Sequence, residues 1–336
     1  MSLYEIVRER GARRLLMLGM TKNAGKTFSL NHLVRECEAK GERLGLTSTG
    51  RDGEALDLIT GKAKPRIYCP QGTVVATARL AAYAGTAVLT SEVDTGIETV
   101  LGEVTIAEVE RAGHLELAGP VYATQLETVL SLMAERGAAR LLVDGALDRK
   151  AAARVLRHVV LAVGAVISRS LDEVVEQAVT YVEQLSIPAA PLWVVEAADA
   201  FSGAGAILGE DGSIVPLSGE TLLGKHGELS SMLRRENCWG LLAGGAIGDE
   251  SLACLLELDP LPALVVRNAS ALFVEPMRWR RFVAEGGRCY ATQPLDLLAV
   301  TINPYSPEGW ELPADEMLEA VSKALAPLPV FNLARQ

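Results

Sequence analysis

The sequence is short of cysteine, of long apolar runs and of positive charge, and each shortage excludes a class of protein. Its five cysteines are scattered without a CxxC pair, which excludes a disulfide framework and a zinc ribbon. Uncharged runs reach about a dozen residues, whereas a spanning helix needs roughly 18. We therefore expect no membrane segment, and cysteines that are mostly buried as small apolar side chains.

The charge balance is acidic, with 32 basic and 42 acidic residues and a net charge of −10. A dominant surface for nucleic acid or anionic membrane depends on clustered Lys and Arg, so this balance favours a small ligand or a protein partner. Glu5 and several arginines stand where a secretory signal would be apolar, and a cytoplasmic location is the expectation. A length of 336 residues favours two domains over one.

Strand and helix patterns alternate along the chain, which is typical of an α/β fold with a mostly parallel sheet flanked by helices. The alternation begins with the strand pattern RRLLMLGM and the amphipathic helix pattern FSLNHLVRECEAKG. Within residues 102–120, apolar and polar side chains alternate with period two on both sides of RAG, and this pattern predicts an inserted β-hairpin. Two prolines at SIPAAP predict a boundary between a first domain, residues 1–187, and a second, smaller α/β domain, residues 188–336.

In the second domain, PLWVVEA, CWGLLAGG, PALVVRN and DLLAVTIN read as strands. The glycines between 203 and 209 do not have the spacing of a dinucleotide fingerprint, and we interpret that segment as a turn.

The strongest chemical signal is Gly25-Lys26-Thr27, which follows a strand pattern and precedes a helix pattern. A phosphate-binding loop needs converging backbone amides, a helix N-terminus, a lysine for the β and γ phosphates and a hydroxyl for Mg²⁺. The three residues supply these in the right order. One departure from GxxxxGK[ST] is that Met20 stands in the first glycine's place, with Gly19 one residue earlier.

The residues of this loop expected to bind a nucleotide are Thr21, Lys22, Asn23, Ala24, Gly25, Lys26, Thr27 and Phe28.

A nucleotide site also needs a carboxylate near the magnesium ion. Asp144 ends the apolar run LLV and is the first candidate, a helix cap or surface carboxylate being the alternative. Asp52 lies after the second strand pattern and is the second candidate, although an ordinary solvated loop carboxylate fits it equally well. We expect Thr27, Asp52 and Asp144 to serve Mg²⁺, and Lys26, Asp52 and Asp144 to serve catalysis.

The loop resembles those of P-loop NTPases of the class that includes the molybdopterin-guanine dinucleotide accessory protein, dethiobiotin synthetase and the nitrogenase iron protein. Members often carry a second loop lysine that reaches the phosphates across a dimer interface. Lys22 is the candidate here, one place from the usual position, and this role implies a homodimer. No NKxD segment for reading guanine is present, which favours ATP, with GTP as the alternative.

Longer segments resemble the P-loop reactivase subunits that accompany the adenosylcobalamin-dependent lysine 5,6-aminomutase of lysine fermentation. These segments are GMTKNAGKT, GLTSTGRDGEALDL with the following KPRIYCPQGTVVATA, LLVDGALDR, and TINPYSPEGWELPADEMLEAV with PVFNL after it. The resemblance implies a weak, Mg²⁺-dependent NTPase that exchanges damaged cobalamin from a partner enzyme. Two other functions stay open: a small-molecule ATP-dependent ligase resembling dethiobiotin synthetase, and a nucleotide-binding module that does not hydrolyse.

Overall fold

The computed structural model describes residues 1–49, 66–145, 155–219, 221, 222, 224, 226–234 and 237–333. The chain divides into two compact units. The first is formed by Met1–Ala178 and Leu297–Gln336, and the second by Val179–Asp296.

The described residues form eighteen strands and ten α-helices. The strands are β1 (Arg14–Gly19), β2 (Leu44–Ser48), β3 (Ile67–Cys69), β4 (Val74–Ala78), β5 (Val88–Thr99), β6 (Gly102–Arg111), β7 (Gly113–Leu115), β8 (Arg140–Gly145), β9 (His158–Gly164), β10 (Gly205–Gly209), β11 (Ile214–Pro216), β12 (Cys238–Ala243), β13 (Ile247–Gly248), β14 (Ala263–Val266), β15 (Leu272–Phe273), β16 (Cys289–Ala291), β17 (Asp296–Asn303) and β18 (Val330–Phe331). The helices are α1 (Leu3–Glu9), α2 (Lys26–Ala39), α3 (Arg79–Ala82), α4 (Ala123–Glu135), α5 (Leu171–Leu185), α6 (Leu192–Asp199), α7 (His226–Leu233), α8 (Asp249–Leu256), α9 (Pro276–Ala284) and α10 (Ala314–Ala324).

The first unit contains a nine-stranded sheet in the order β18-β17-β9-β1-β8-β2-β4-β6-β5. The pairs β9–β1, β1–β8, β8–β2 and β2–β4 are parallel, as is the pair β17–β18. Strand β6 is antiparallel to both β4 and β5. The central position of β1 explains its continuous apolar sequence, because a parallel strand covered on both faces has no solvent side.

The core of this unit joins the sheet to the two N-terminal helices. Leu3 and Val7 of α1 and Leu30 and Leu33 of α2 are fully buried with side chains of the central strands. Burying an aliphatic side chain of this size contributes about 1.5–3 kcal/mol to the stability of the fold, so this cluster supplies a large part of the hydrophobic stabilisation of the unit. It anchors α2, and the loop before α2 is thereby held at the end of β1.

The second unit contains a five-stranded mixed sheet in the order β11-β10-β12-β14-β16. Strands β12, β14 and β16 are parallel, and β10 is antiparallel to β11 and β12. Successive residues of β12 enter different clusters, because Leu241 packs with one and Leu242 with another. This alternation is the two-sided burial expected of a strand with covered faces.

These findings confirm an α/β protein with a large, mostly parallel sheet, an antiparallel hairpin and a second, smaller mixed sheet. The position of the hairpin differs from the expectation of residues 102–120, because β6 pairs with β5 at 88–99 while β7 pairs with β3. Strand β5 was missed because most of its residues are exposed and many of them are polar or acidic. An exposed strand lacks the apolar alternation that predicts a strand.

The compact units also differ from the predicted domains, residues 1–187 and 188–336. Strands β17 and β18 join the nine-stranded sheet, so the chain returns to the first unit at Leu297. Sequence patterns identify a strand but do not tell which sheet it joins. No local feature of the sequence indicates that the chain re-enters the first unit at Leu297.

Two local predictions in the second unit were wrong. PLWVVEA is not a strand, since α6 begins at Leu192 directly after Pro191 at the helix N-cap. Short apolar runs fit a buried helix as well as a strand. The segment interpreted as a turn contains β10, whose residues are all buried. Gly205 and Gly209 are strand positions where the missing side chain leaves room for neighbouring segments of the same chain.

All five cysteines are free, and four of them are buried. Burial raises the pKa of the Cys37, Cys69 and Cys289 thiols to about 12. These thiols therefore stay protonated near neutral pH and are poor nucleophiles. In the part of the chain that the structure describes, no helix is long and apolar enough to span a membrane.

Candidate functional site

The loop between β1 and α2 turns sharply into the helix. Asn23 and Gly25 both have positive φ angles, of 65° and 100°. Gly25 is the N-cap of α2 and provides no side-chain cap, and the first turn of α2 contains no acidic residue. The first amides of an α-helix have no partner within the helix, and their dipole favours negative charge. The start of α2 is therefore suited to an anion such as phosphate.

The structure explains why Met20 can replace the first glycine of the motif. The Met20 amide donates to the Ala162 carbonyl of the neighbouring strand at 3.0 Å, which continues the β1 ladder by one residue. The Met20 side chain is buried. The loop therefore begins its turn after Met20, and this position needs no positive φ angle.

Lys26 reaches from the start of α2 to the end of β8. Its Nζ donates to the Gly145 carbonyl oxygen at 2.7 Å and lies 3.1 Å from Asp144 Oδ1. Both side chains of the ion pair are about four-fifths buried, with 22% and 18% of their surface exposed. The structure thus brings together the two residues that the sequence proposed as phosphate-binding lysine and metal-binding carboxylate.

The sheet holds Asp144 rigidly. Its backbone lies between Met17 of β1 and Ser48 of β2 in the parallel register. The Thr49 amide donates to the Asp144 carbonyl at 3.0 Å. Three parallel strands therefore end together around this carboxylate, and the carboxyl ends of parallel strands are where α/β proteins commonly bind ligands.

The donor set at this edge fits a magnesium ion. Asp144 Oδ1 is buried and makes no hydrogen bond with the described residues, although it faces the Lys26 ammonium. Thr27 lies half-buried in the first turn of α2 and carries a hydroxyl. Carboxylate and hydroxyl oxygens together with phosphate oxygens are the ligands that Mg²⁺ prefers. Among the described residues, no group of three or more His, Cys, Asp or Glu side chains is placed to hold a metal ion.

The other predicted loop residues fall into two groups. Thr21, Lys22, Asn23 and Phe28 are exposed, and Ala24 is buried. Asp52 lies outside the described residues, and its proposed role stays a prediction.

Asn303, which the sequence argument did not select, contacts the loop between β1 and α2. It ends β17, and its Nδ2 donates to the Asn23 carbonyl at 3.4 Å and to the Tyr305 carbonyl at 3.1 Å. A Cβ atom on Gly25 would lie 2.6 Å from the Asn303 Cβ, so only glycine fits there. The sequence feature that could have drawn attention to Asn303 is the Asn-Pro pair at the end of a strand pattern, but the sequence analysis assigned that strand to the second domain.

Gly164, at the end of β9, supports the loop from the other side. A Cβ atom on Gly164 would lie 2.6 Å from the Ala24 Cα and 3.1 Å from the Ala24 carbonyl oxygen. The φ angle of Gly164 is −120°, which any residue adopts. An alanine at this position would therefore act only through its contact with the loop backbone.

We expect Gly164→Ala to displace the loop and lower nucleotide affinity by about tenfold to a hundredfold, because misplacement of binding groups by about 1 Å has effects of this size. Overpacking should also lower the free energy of unfolding by about 1–3 kcal/mol. Titration calorimetry with ATP and urea unfolding measure the two effects. Gly227→Ala is the control, since a Cβ atom there meets no atom within 4 Å. Equal ATP affinity in both variants would show that Ala24 is not part of the binding loop.

Comparisons with family models, with curated proteins and with solved structures found no match to this chain.

Proposed function

We propose that this protein binds a Mg²⁺-nucleoside triphosphate, ATP in preference to GTP, and hydrolyses it slowly as an accessory factor of a partner enzyme. The observation that carries the nucleotide part is the position of Lys26 Nζ, between the Gly145 carbonyl and Asp144 Oδ1 at the uncapped start of α2. This arrangement joins a cation, a carboxylate and free helix amides at one edge of the sheet.

Each residue has a role in this proposal. The amides of Gly25, Lys26 and Thr27 hold phosphate oxygens, since the helix start has no side-chain cap. The Lys26 ammonium has three N–H donors; one engages the Gly145 carbonyl, and the others can serve phosphate oxygens while Asp144 provides the counter-charge. A Mg²⁺ ion held here would supply positive charge that offsets the negative charge of the phosphate oxygens.

Thr27 and Asp144 would hold the metal ion. The Asp144 carboxylate also fixes Lys26 through their ion pair, which keeps the ammonium at the loop. Asp52 remains the candidate for positioning the attacking water. The attack places the water oxygen on the γ phosphorus, and the bond to the β-γ bridging oxygen breaks.

Asp144→Asn should separate binding from hydrolysis. Loss of the carboxylate charge weakens the hold on Mg²⁺, and we expect Mg²⁺-dependent turnover to fall about tenfold to a hundredfold, as is usual when a group supporting a metal is removed. The ATP dissociation constant should remain measurable, because Lys26 and the loop amides are retained. Phosphate release and titration calorimetry, each with and without Mg²⁺, measure the two quantities.

Asp94→Asn is the matched control, since Asp94 is an exposed carboxylate of β5 that pairs with Arg79. Its turnover should equal that of the wild type. Unchanged turnover in Asp144→Asn would remove Asp144 from the metal site. If the wild type binds ATP without Mg²⁺-dependent phosphate release, the protein is a non-hydrolysing nucleotide-binding module.

The accessory role rests on the resemblance to reactivase subunits. Under this role, addition of an adenosylcobalamin-dependent lysine aminomutase should accelerate ATP turnover, and the two proteins should co-elute in size-exclusion chromatography. Unchanged turnover together with separate elution would contradict it. ADP release that instead depends on a small carboxylate metabolite, without any protein partner, would indicate the ligase function.

The proposed trans role of Lys22 implies a homodimer. Lys22 is exposed in the loop. Light scattering with and without ATP and Mg²⁺ tests for the dimer, and a monomer under both conditions would contradict this role.

A further inference from the structure

A cavity of about 290 Å³ lies in the first unit where β1 and β9 begin. Its lining residues are Gly11, Arg13, Arg14, Val155, Arg157 and His158. Three of the six are arginines, in a chain whose net charge is −10. The cavity therefore concentrates positive charge against the balance of the whole protein.

Two of these arginines lack a counter-charge in the described structure. The Arg14 guanidinium donates to the Glu127 carboxylate at 2.7 Å, and this carboxylate balances its positive charge. The exposed side chains of Arg13 and Arg157 form no ion pair with any described carboxylate. Guanidinium groups that share a cavity without a counter-charge among the described residues repel each other, and a bound anion would remove this repulsion.

The cavity is separate from the phosphate loop. Leu15 and His158 are partners in the parallel register, so β1 and β9 start side by side at the cavity. Both strands end at the opposite edge, where Gly19 and Gly164 adjoin the loop. Six or seven residues of strand span roughly 17–23 Å, so one phosphate group cannot occupy both places.

We propose that this cavity binds a small anion bearing two or more negative charges in phosphate groups. Its volume is near the lower limit of small-molecule pockets, which fits a compact ligand and not a macromolecule. Arginine presents a planar fork of N–H donors that matches phosphate oxygens in pairs. Arg13 and Arg157 bind the phosphate groups, and the Arg14–Glu127 pair holds Arg14 at the cavity wall.

Inorganic pyrophosphate is the probe, titrated calorimetrically into the Lys26→Ala variant so that the principal cation of the phosphate loop is absent. We expect saturable 1:1 binding that weakens strongly as NaCl rises from 50 mM to 500 mM, because exposed charges are screened. Arg13→Gln and Arg157→Gln, each added to this variant, should weaken binding about tenfold or more, as loss of a charge-assisted hydrogen bond does. Arg111→Gln, an exposed arginine ending β6, is the matched control and should change nothing.

A thermal measurement covers the event that Lys26→Ala folds poorly. Pyrophosphate should raise the melting temperature of the wild-type chain more than that of an Arg13→Gln/Arg157→Gln double variant. Absence of saturable binding, or equal affinity in all variants, would overturn the proposal. Binding of citrate without binding of pyrophosphate would overturn the phosphate assignment.

Discussion

Lys26→Ala should weaken ATP binding roughly tenfold to a hundredfold or more. The lost hydrogen bond joins a cation to a charged phosphate, and such bonds contribute about 1.5–3 kcal/mol. A second effect adds to the first, because the Asp144 carboxylate at 3.1 Å loses its counter-charge and then repels the phosphates. Titration calorimetry with ATP and Mg²⁺ measures the change.

The control for this prediction is Lys40→Ala. Lys40 is an exposed lysine at the opposite end of the same helix, where it forms the C-cap of α2. It should bind ATP as the wild type does. Circular dichroism on both variants establishes that the fold is retained. If Lys26→Ala binds ATP as tightly as the wild type, the phosphate-loop interpretation is wrong.

The meeting of Lys26 and Asp144 was predictable because it depends on short-range rules. An apolar run followed by Gly25-Lys26-Thr27 places the lysine at a strand end, and LLVD places the aspartate at another. Parallel strands put both ends at one edge of the sheet. The sequence did not determine that β1 and β8 would be direct neighbours, which is a property of the whole sheet.

The parts that were missed depend on long-range packing. Asn303 reaches the phosphate loop only because β17 returns to the first sheet after the whole second unit. Gly164 matters because its missing side chain leaves room for Ala24, 140 positions earlier in the sequence. No local pattern, including the Asn-Pro pair that begins at Asn303, tells which loop either residue will contact. Both positions stand at strand ends next to the loop, where a topology is needed before a side chain can be assigned a neighbour.

The largely buried ion pair between Arg140 and Glu42 should stabilise the first unit strongly. Arg140 begins β8 and is 7% exposed. Its Nε and Nη2 donate to the two carboxylate oxygens of Glu42, at 2.7 and 2.9 Å, and its Nη1 donates to the Ala12 carbonyl. The Tyr4 hydroxyl donates to the same carboxylate at 3.0 Å. The pair therefore ties α1 to the sheet at the edge opposite the phosphate loop.

Arg140→Ala should lower the free energy of unfolding by about 2–4 kcal/mol, because the largely buried Glu42 carboxylate then keeps only the Tyr4 hydroxyl as a partner. Urea unfolding measures the loss. Arg43→Ala is the matched control, since Arg43 pairs with Glu108 at 2.8 Å but both side chains are about two-fifths exposed. Exposed pairs contribute about 0–1 kcal/mol. Equal losses in the two variants would contradict the proposed importance of the buried pair.

Glu42→Gln keeps the shape of the side chain but removes its charge, so the pH dependence of the free energy of unfolding tests the same contact. Hydrogen bonds from Arg140, opposed by desolvation, hold the pKa of Glu42 below its usual value. A carboxyl group whose pKa is lower in the folded state stabilises the fold fully above its unfolded pKa of about 4.3, and this contribution disappears as the pH falls through the folded pKa. The stability difference between wild type and Glu42→Gln should thus be constant above about pH 5 and shrink below about pH 4. A difference that stays the same down to acid unfolding would mean that Glu42 is not held ionised by Arg140.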